Sequence, residues 1–301
     1  MSLQVERIAK LTGHSGGIYS FVPYQEDTFF AASSDMHVSE WNLQTFESTG
    51  FTIRVPSQAY SLCLLKEKNI LLIGTFKGDI HVVDLLSKQE IKLLRNHNAA
   101  VLSMCYHPTN ESVLAASADG SISCIETKNF TTTKLLKLCN EKVRSVRMFQ
   151  QNDFIVCSGD GKVRVLEGGS LDTKLEYAAH ELSSNIGIYL AKLDSIISGG
   201  RDAHLKQYNL HEQRFLQDIP AHNYALYDLL CIEPMQLLIS ASRDKTIKLW
   251  NADTLDFHMR INKENYDGHT GSVNCLLYHH GYLMSGSDDR SIMVWRLSNG
   301  C

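Results

Sequence analysis

A short motif of small residues, an aspartate and an aromatic six positions further on recurs along this chain at near-constant spacing. The clearest copy is Ser240-Ala241-Ser242-Arg243-Asp244-Lys245-Thr246-Ile247-Lys248-Leu249-Trp250. Ser285-Gly286-Ser287-Asp288-Asp289 through Trp295 repeats it, and so does Ala32-Ser33-Ser34-Asp35 through Trp41. Four weaker copies end at Val83, Ile125, Leu166 and Tyr208, with turn positions Lys77, Asp119, Asp160 and Asp202. The copies end at 41, 83, 125, 166, 208, 250 and 295, in steps of 42, 42, 41, 42, 42 and 45. A constant period makes each copy one structural unit and restricts the chain to repeat architectures.

Each unit reads as β. Short apolar runs precede the turns, as in Ile70-Leu71-Leu72-Ile73 and Phe154-Ile155-Val156-Cys157. Such runs suit strands buried on both faces. Residues alternate after the turn, another strand lies upstream (Val273 to Tyr278), and a more polar one follows (Glu90 to Leu94). Four strands of this size cannot bury both faces alone, but sheets stacked radially cover one another and leave short edges. The expectation is an all-β, seven-bladed β-propeller of four-stranded antiparallel blades, one domain over residues 1–301.

Gly13-His14 and Gly268-His269 precede their turn aspartates by 20 to 22 residues, as do Ala179-His180 and Ala221-His222. A Gly-His opening, a turn Asp and a terminal Trp at this period resemble the WD-repeat family over the whole chain. Copies two and four depart from the pattern, with Val55 and Cys139 at the His position and Lys77 in place of Asp. Copy seven ends near Leu297 with only Ser298 to Cys301 left, so it lacks a fourth strand. The resemblance implies that Val5 to Thr12 supplies that strand and closes the last blade.

Composition narrows the function classes. Apolar residues make up 44% and charged residues 21%, so a large core is affordable and disorder is not expected. The net charge is −4, with no block of like charges to mark a nucleic-acid or membrane-surface patch. The first residues lack a signal-peptide core, and no run of 18 apolar residues occurs. The eight cysteines are Cys63, Cys105, Cys124, Cys139, Cys157, Cys231, Cys275 and Cys301, none in a Cys-x-x-Cys pair. They read as small buried hydrophobes in a reducing compartment, so the expected location is the cytoplasm, or the nucleus in a eukaryote.

His14, Ser20 and Asp35 are the residue types of a hydrolase triad. The repeat argues for a structural tie instead, in which His14 links Asp35 to the Ser20 hydroxyl and that oxygen accepts from Trp41. Other blades carry the same parts with substitutions that catalysis does not tolerate. His222, Asp244 and Trp250 come with Asp228 at the hydroxyl position, and His269, Asp289 and Trp295 with Cys275. No catalytic residue, metal site or cofactor is expected. The thirteen histidines fall at repeat positions or singly, like His37, His81 and His258, and the adjacent pair His279-His280 points to opposite strand faces.

In WD-repeat proteins two positions per blade resemble those that contact ligands at the channel rim. One precedes the turn position: Ser34, Phe76, Ala118, Gly159, Arg201, Arg243 and Asp288. The other lies five past the His position: Tyr19, Tyr60, Leu102, Arg144, Asn185, Tyr227 and Asn274. Tyr19, Tyr60, Phe76 and Tyr227 are aromatic, while Arg144, Arg201 and Arg243 come from three consecutive blades, and both types suit interface hot spots. The expected function is a non-enzymatic platform or adaptor for protein or peptide partners, monomeric within a larger complex. Two alternatives are a reader of acidic or phosphorylated peptides through the three arginines and a propeller hydrolase with an axial metal. The 250–268 segment is three residues longer than its counterparts and is expected to lengthen a surface loop.

Overall fold

Six of the repeats each form one four-stranded antiparallel sheet, the seventh supplies three strands to a sheet completed by the N-terminal strand, and the protein is a seven-bladed β-propeller. The structure, a computed structural model, describes residues 3–150 and 152–299; Cys301 lies outside the described residues. Blade 1 contains strands a to d at Ile18–Pro23, Thr28–Ser33, His37–Asn42 and Glu47–Arg54. Blades 2 to 6 repeat this order from Ala59, Val101, Val143, Ser184 and Leu226.

The apolar runs become strand b, as their composition requires. Strand b is buried at every residue in blades 1 to 6, for example Ile70–Thr75, Asp153–Ser158 and Leu237–Ser242. Strand d is the outer edge, and in Gln89–Arg95 its first four residues are exposed. Each fully buried Leu, Ile or Phe of the inner strands contributes about 2 kcal/mol by leaving water.

Two compact units divide the chain. The first joins the chain up to Arg54 with the chain from His222 and holds blades 6, 7 and 1. One of its core clusters packs Ile239, Leu249, Leu276, Met293 and Trp295 between blades 6 and 7. Another packs Leu11, Ile18, Phe29, Trp41 and Val294 between blades 7 and 1. The second unit, Val55–Ala221, holds blades 2 to 5. There Leu72 and Val82 meet Val101 and Val113, Leu114 meets Val146 and Phe154, and Ile155 and Val163 meet Ile196.

Blade 7 closes as the sequence implied. Its strands a to c are Val273–His279, Tyr282–Ser287 and Ile292–Asn299, and the N-terminal strand Leu3–Leu11 pairs antiparallel with the third, from Leu3 opposite Asn299 to Leu11 opposite Ile292. The extra residues after blade 6 form a one-turn helix, Lys263–Tyr266, capped by the Asn262 side chain. That turn grips the closing strand. Arg7 donates to the Asp267 carbonyl at 2.7 Å and to Asp267 Oδ2 at 2.5 Å, and Lys263 pairs with the same carboxylate. The insertion therefore tethers the strand that completes the blade.

Candidate functional site

The triad-like residues form ties, but the hydroxyl comes from a different strand than the sequence suggested. In blade 6, His222 Nδ1 lies 2.9 Å from Asp244 Oδ2 and Nε2 lies 2.8 Å from Ser240 Oγ, which accepts from Trp250 Nε1 at 2.9 Å. Blade 7 repeats this with His269, Asp289, Ser285 and Trp295 at 2.9, 2.8 and 2.9 Å. The chain Trp→Ser→His→Asp satisfies every donor if the imidazole is neutral with its proton on Nδ1. Burial lowers the pKa of His222 against the pull of Asp244, which favours that neutral form. Burial raises Asp244 and Asp289, but the histidine and hydroxyl hydrogen bonds outweigh it and hold both well below the usual carboxylate range.

The serines occupy strand b, ten residues before the terminal aromatic. In blade 1 that place is Ala31. His14 Nδ1 still meets Asp35 at 2.9 Å, but His14 Nε2 and Trp41 Nε1 are buried without a hydrogen-bond partner. The indole of Trp41 therefore does not reach Ser20 in the way the sequence suggested. Elsewhere the tie degrades piece by piece. Blade 5 keeps His180, Asp202 and Ser198. Blade 3 joins His97 to Ser121 and Ser123, both at 2.9 Å. Blade 4 substitutes Arg164, which reaches Asp160 and Ser158, both at 2.6 Å, and also pairs with Glu176.

In blades 2, 3 and 6 the position assigned to the hydroxyl does a different job: it latches one blade to the next. Ser61 Oγ donates to the Val101 carbonyl at 2.8 Å. Ser103 Oγ meets the backbone of Val146, accepting from its N–H at 3.2 Å and donating to its carbonyl at 3.3 Å. The buried Asp228 carboxylate accepts the Leu276 N–H at 2.8 Å. The side chain at this position points at the neighbouring strand a, which explains why serine, aspartate and cysteine all serve there.

The rim positions share one geometry. In all seven blades the pairing of strands a and b slips by one residue, at Tyr19, Tyr60, Leu102, Arg144, Asn185, Tyr227 and Asn274. Each is a β-bulge residue, set outside the ladder. In all seven blades the residue before the turn donates its backbone N–H to the carbonyl two residues before the bulge. These bonds run from Ser34 to Gly17, Phe76 to Gln58, Arg201 to Ser183, Arg243 to Ala225 and likewise elsewhere, at 2.7 to 3.0 Å. The two projected positions are thus held side by side in every blade.

What they present differs between the units. In the second, Tyr60 and Phe76 form a ring pair with centroids 6.0 Å apart, and Phe76 is 51% exposed. Arg201 is exposed and Arg144 half-buried. In the first, Tyr19 and Tyr227 are half-buried, and the Arg243 guanidinium lies over the Tyr224 ring, 5.9 Å from its centroid, with Tyr224 60% exposed. Arg243 is thereby engaged by its own blade. Tyr224 was not singled out from the sequence; it lies two past the histidine, in the loop leading to strand a. Among the described residues, no three His, Cys, Asp or Glu side chains converge as metal ligands, and no helix is long and apolar enough to cross a membrane.

Comparison with known proteins agrees with the fold. The family model for the WD domain, G-beta repeat, matches residues 5–42, 88–126, 213–251 and 261–296, just over half of the chain. The chain belongs to the WD-repeat family. It is similar to WD repeat-containing protein 37 of Pongo abelii, 25% identical over 76% of this chain and 46% of that protein. It also resembles the kinesin-like protein KIF21B of Mus musculus, 21% identical over 98% of this chain and 17% of that protein. A third relative is the ribosome biogenesis protein ytm1 of Pyrenophora tritici-repentis, 31% identical over 42% of this chain and 28% of that protein. The chain spans less than half the length of each of these curated relatives.

Proposed function

We propose that this protein is a protein-interaction platform whose partners dock on the bulge and turn residues. The observation that carries the reading is the bulge repeated in every blade. It places one side chain per blade outside the ladder beside a turn residue, and several of those side chains are of the types that anchor interfaces. Tyr60 and Phe76 offer an apolar anchor in one unit, and Tyr227, Tyr224 and Arg243 a mixed one in the other. The His–Asp–Ser–Trp sets act in stability rather than catalysis, because they are buried, repeated and tolerant of loss. We assign the protein a non-enzymatic adaptor role within a larger assembly, in a reducing compartment such as the cytoplasm.

Affinity capture from the native source, with wild type and the variant Tyr60→Ala/Phe76→Ala/Tyr227→Ala, tests this reading. Loss of a reproducible set of partners in a variant with unchanged melting temperature supports it. The same partners in both, or none in either, would contradict it.

A further inference from the structure

Blade 7 carries the only carboxylate among the fourteen bulge and turn residues, Asp288, and that carboxylate is held in place. Its backbone N–H donates to the Ser272 carbonyl at 3.0 Å. The bulge residue beside it, Asn274, donates through Nδ2 to Asp288 Oδ1 at 2.8 Å and to the Ile18 carbonyl at 3.0 Å. One amide therefore fixes the carboxylate against the strand that carries Tyr19. Among the described residues, Asp288 Oδ2 has no hydrogen-bond or ion-pair partner, and Asp288 is exposed.

Gly17 brings the ring and the acid together. A Cβ there would lie 2.9 Å from Asp288 Oδ1 and 3.5 Å from Tyr19 Cε2. Only a residue without a side chain leaves that spot open between them.

We infer that Asp288, Asn274 and Tyr19 form a subsite for a basic side chain, arginine or lysine, of a bound peptide or protein. The carboxylate supplies the counter-charge, and the adjacent ring supplies an apolar and cation–π face for the stem and head of that side chain. Asn274 acts as a positioning residue. The inference rests on the interaction reading above and names the chemistry of one contact within it. It also runs opposite in charge to recognition of acidic peptides by arginines.

The test uses the full chain and fluorescence anisotropy with five nonapeptide pools. Their flanks are randomised, and the central residue is Arg, Lys, norleucine, Glu or phosphoserine. The Arg and Lys pools should bind on the order of tenfold tighter than the norleucine pool. Asp288→Asn should bring them to the norleucine level without shifting the melting temperature, and Tyr19→Ala should weaken them selectively. Cation preference that survives in Asp288→Asn overturns the subsite. Equal binding of all pools overturns it too, while leaving the platform reading standing. Tightest binding of the Glu or phosphoserine pool overturns it in favour of the arginines. If no pool binds, both the subsite and docking of linear peptides fall.

Discussion

Trp250 Nε1 donates to Ser240 Oγ at 2.9 Å, and no equivalent bond reaches Trp41 in blade 1. The difference is one oxygen, because Ala31 stands where Ser240 stands in blade 6. Ser240→Ala should leave the indole and the imidazole unsatisfied and cost about 2–3 kcal/mol. Ala31→Ser should supply the missing partner for His14 Nε2 and Trp41 Nε1 and stabilise by about 1 kcal/mol. Asp244→Ala should cost about 1–3 kcal/mol. Chemical denaturation of the variants measures all three, and a neutral Ala31→Ser would count against the hydroxyl bridge.

The closing strand carries the second expectation. Deleting residues 1–12 removes the fourth strand of blade 7 and exposes the edge of Ile292–Asn299. The melting temperature should fall by many degrees. Asp267→Ala alone should leave the melting temperature nearly unchanged, because its pairs with Arg7 and Lys263 are exposed and screened by solvent. An unchanged melt after the deletion would exclude the closure from any role in stability.

The latch between blades 6 and 7 is open to a direct test. Asp228→Ala removes the acceptor of the buried Leu276 N–H and should destabilise by about 1–3 kcal/mol. Amide exchange at Leu276 should accelerate beyond what the global loss explains. Exchange that tracks global unfolding alone would assign the cost to packing.

Stability should fall in two stages as the solution is acidified. Burial holds the pKa of His97 and His222 below the ordinary histidine value, so the native state binds fewer protons there than the unfolded chain. Their contribution is complete above about pH 6.5 and is lost as pH falls through the lowered folded values. Asp35, Asp119, Asp160, Asp202, Asp244 and Asp289 are also held low: burial opposes ionisation, but hydrogen bonds from His, Ser, Arg or backbone N–H groups prevail. Their contribution is complete above about pH 4 and declines below it. Urea midpoints across pH 2–8 should show both declines. Asp244→Asn should lower the neutral-pH midpoint and flatten the lower decline, and a parallel curve would contradict the assignment.

The repeat made the fold legible. Strand b, the turn and the closing strand followed from local composition and phase, which depend on short-range burial. The tie was only half legible. His222, Asp244 and Trp250 stand out by spacing, but the triad analogy points to strand a, at Asp228, whereas the bonded hydroxyl is Ser240 on strand b. The signal for Ser240 lay in the Ser-Ala-Ser and Ser-Gly-Ser boxes, where the first serine bonds the histidine and the second caps the turn by accepting the aspartate N–H. The bulges were not legible. A one-residue slip leaves the apolar pattern of Leu226–Ile232 intact, and only the register shows that Tyr227 is unpaired. The grip of Arg7 on Asp267 spans 260 residues, a distance no local pattern reports.

The most direct test of the platform reading is site-specific photo-crosslinking in the native source. A benzophenone amino acid would replace Phe76, Tyr227 or, as a control on an outer strand, Ile91. Specific adducts from positions 76 and 227, and none from position 91, are the result this account expects. Adducts from position 91 alone, or from no position, would contradict it.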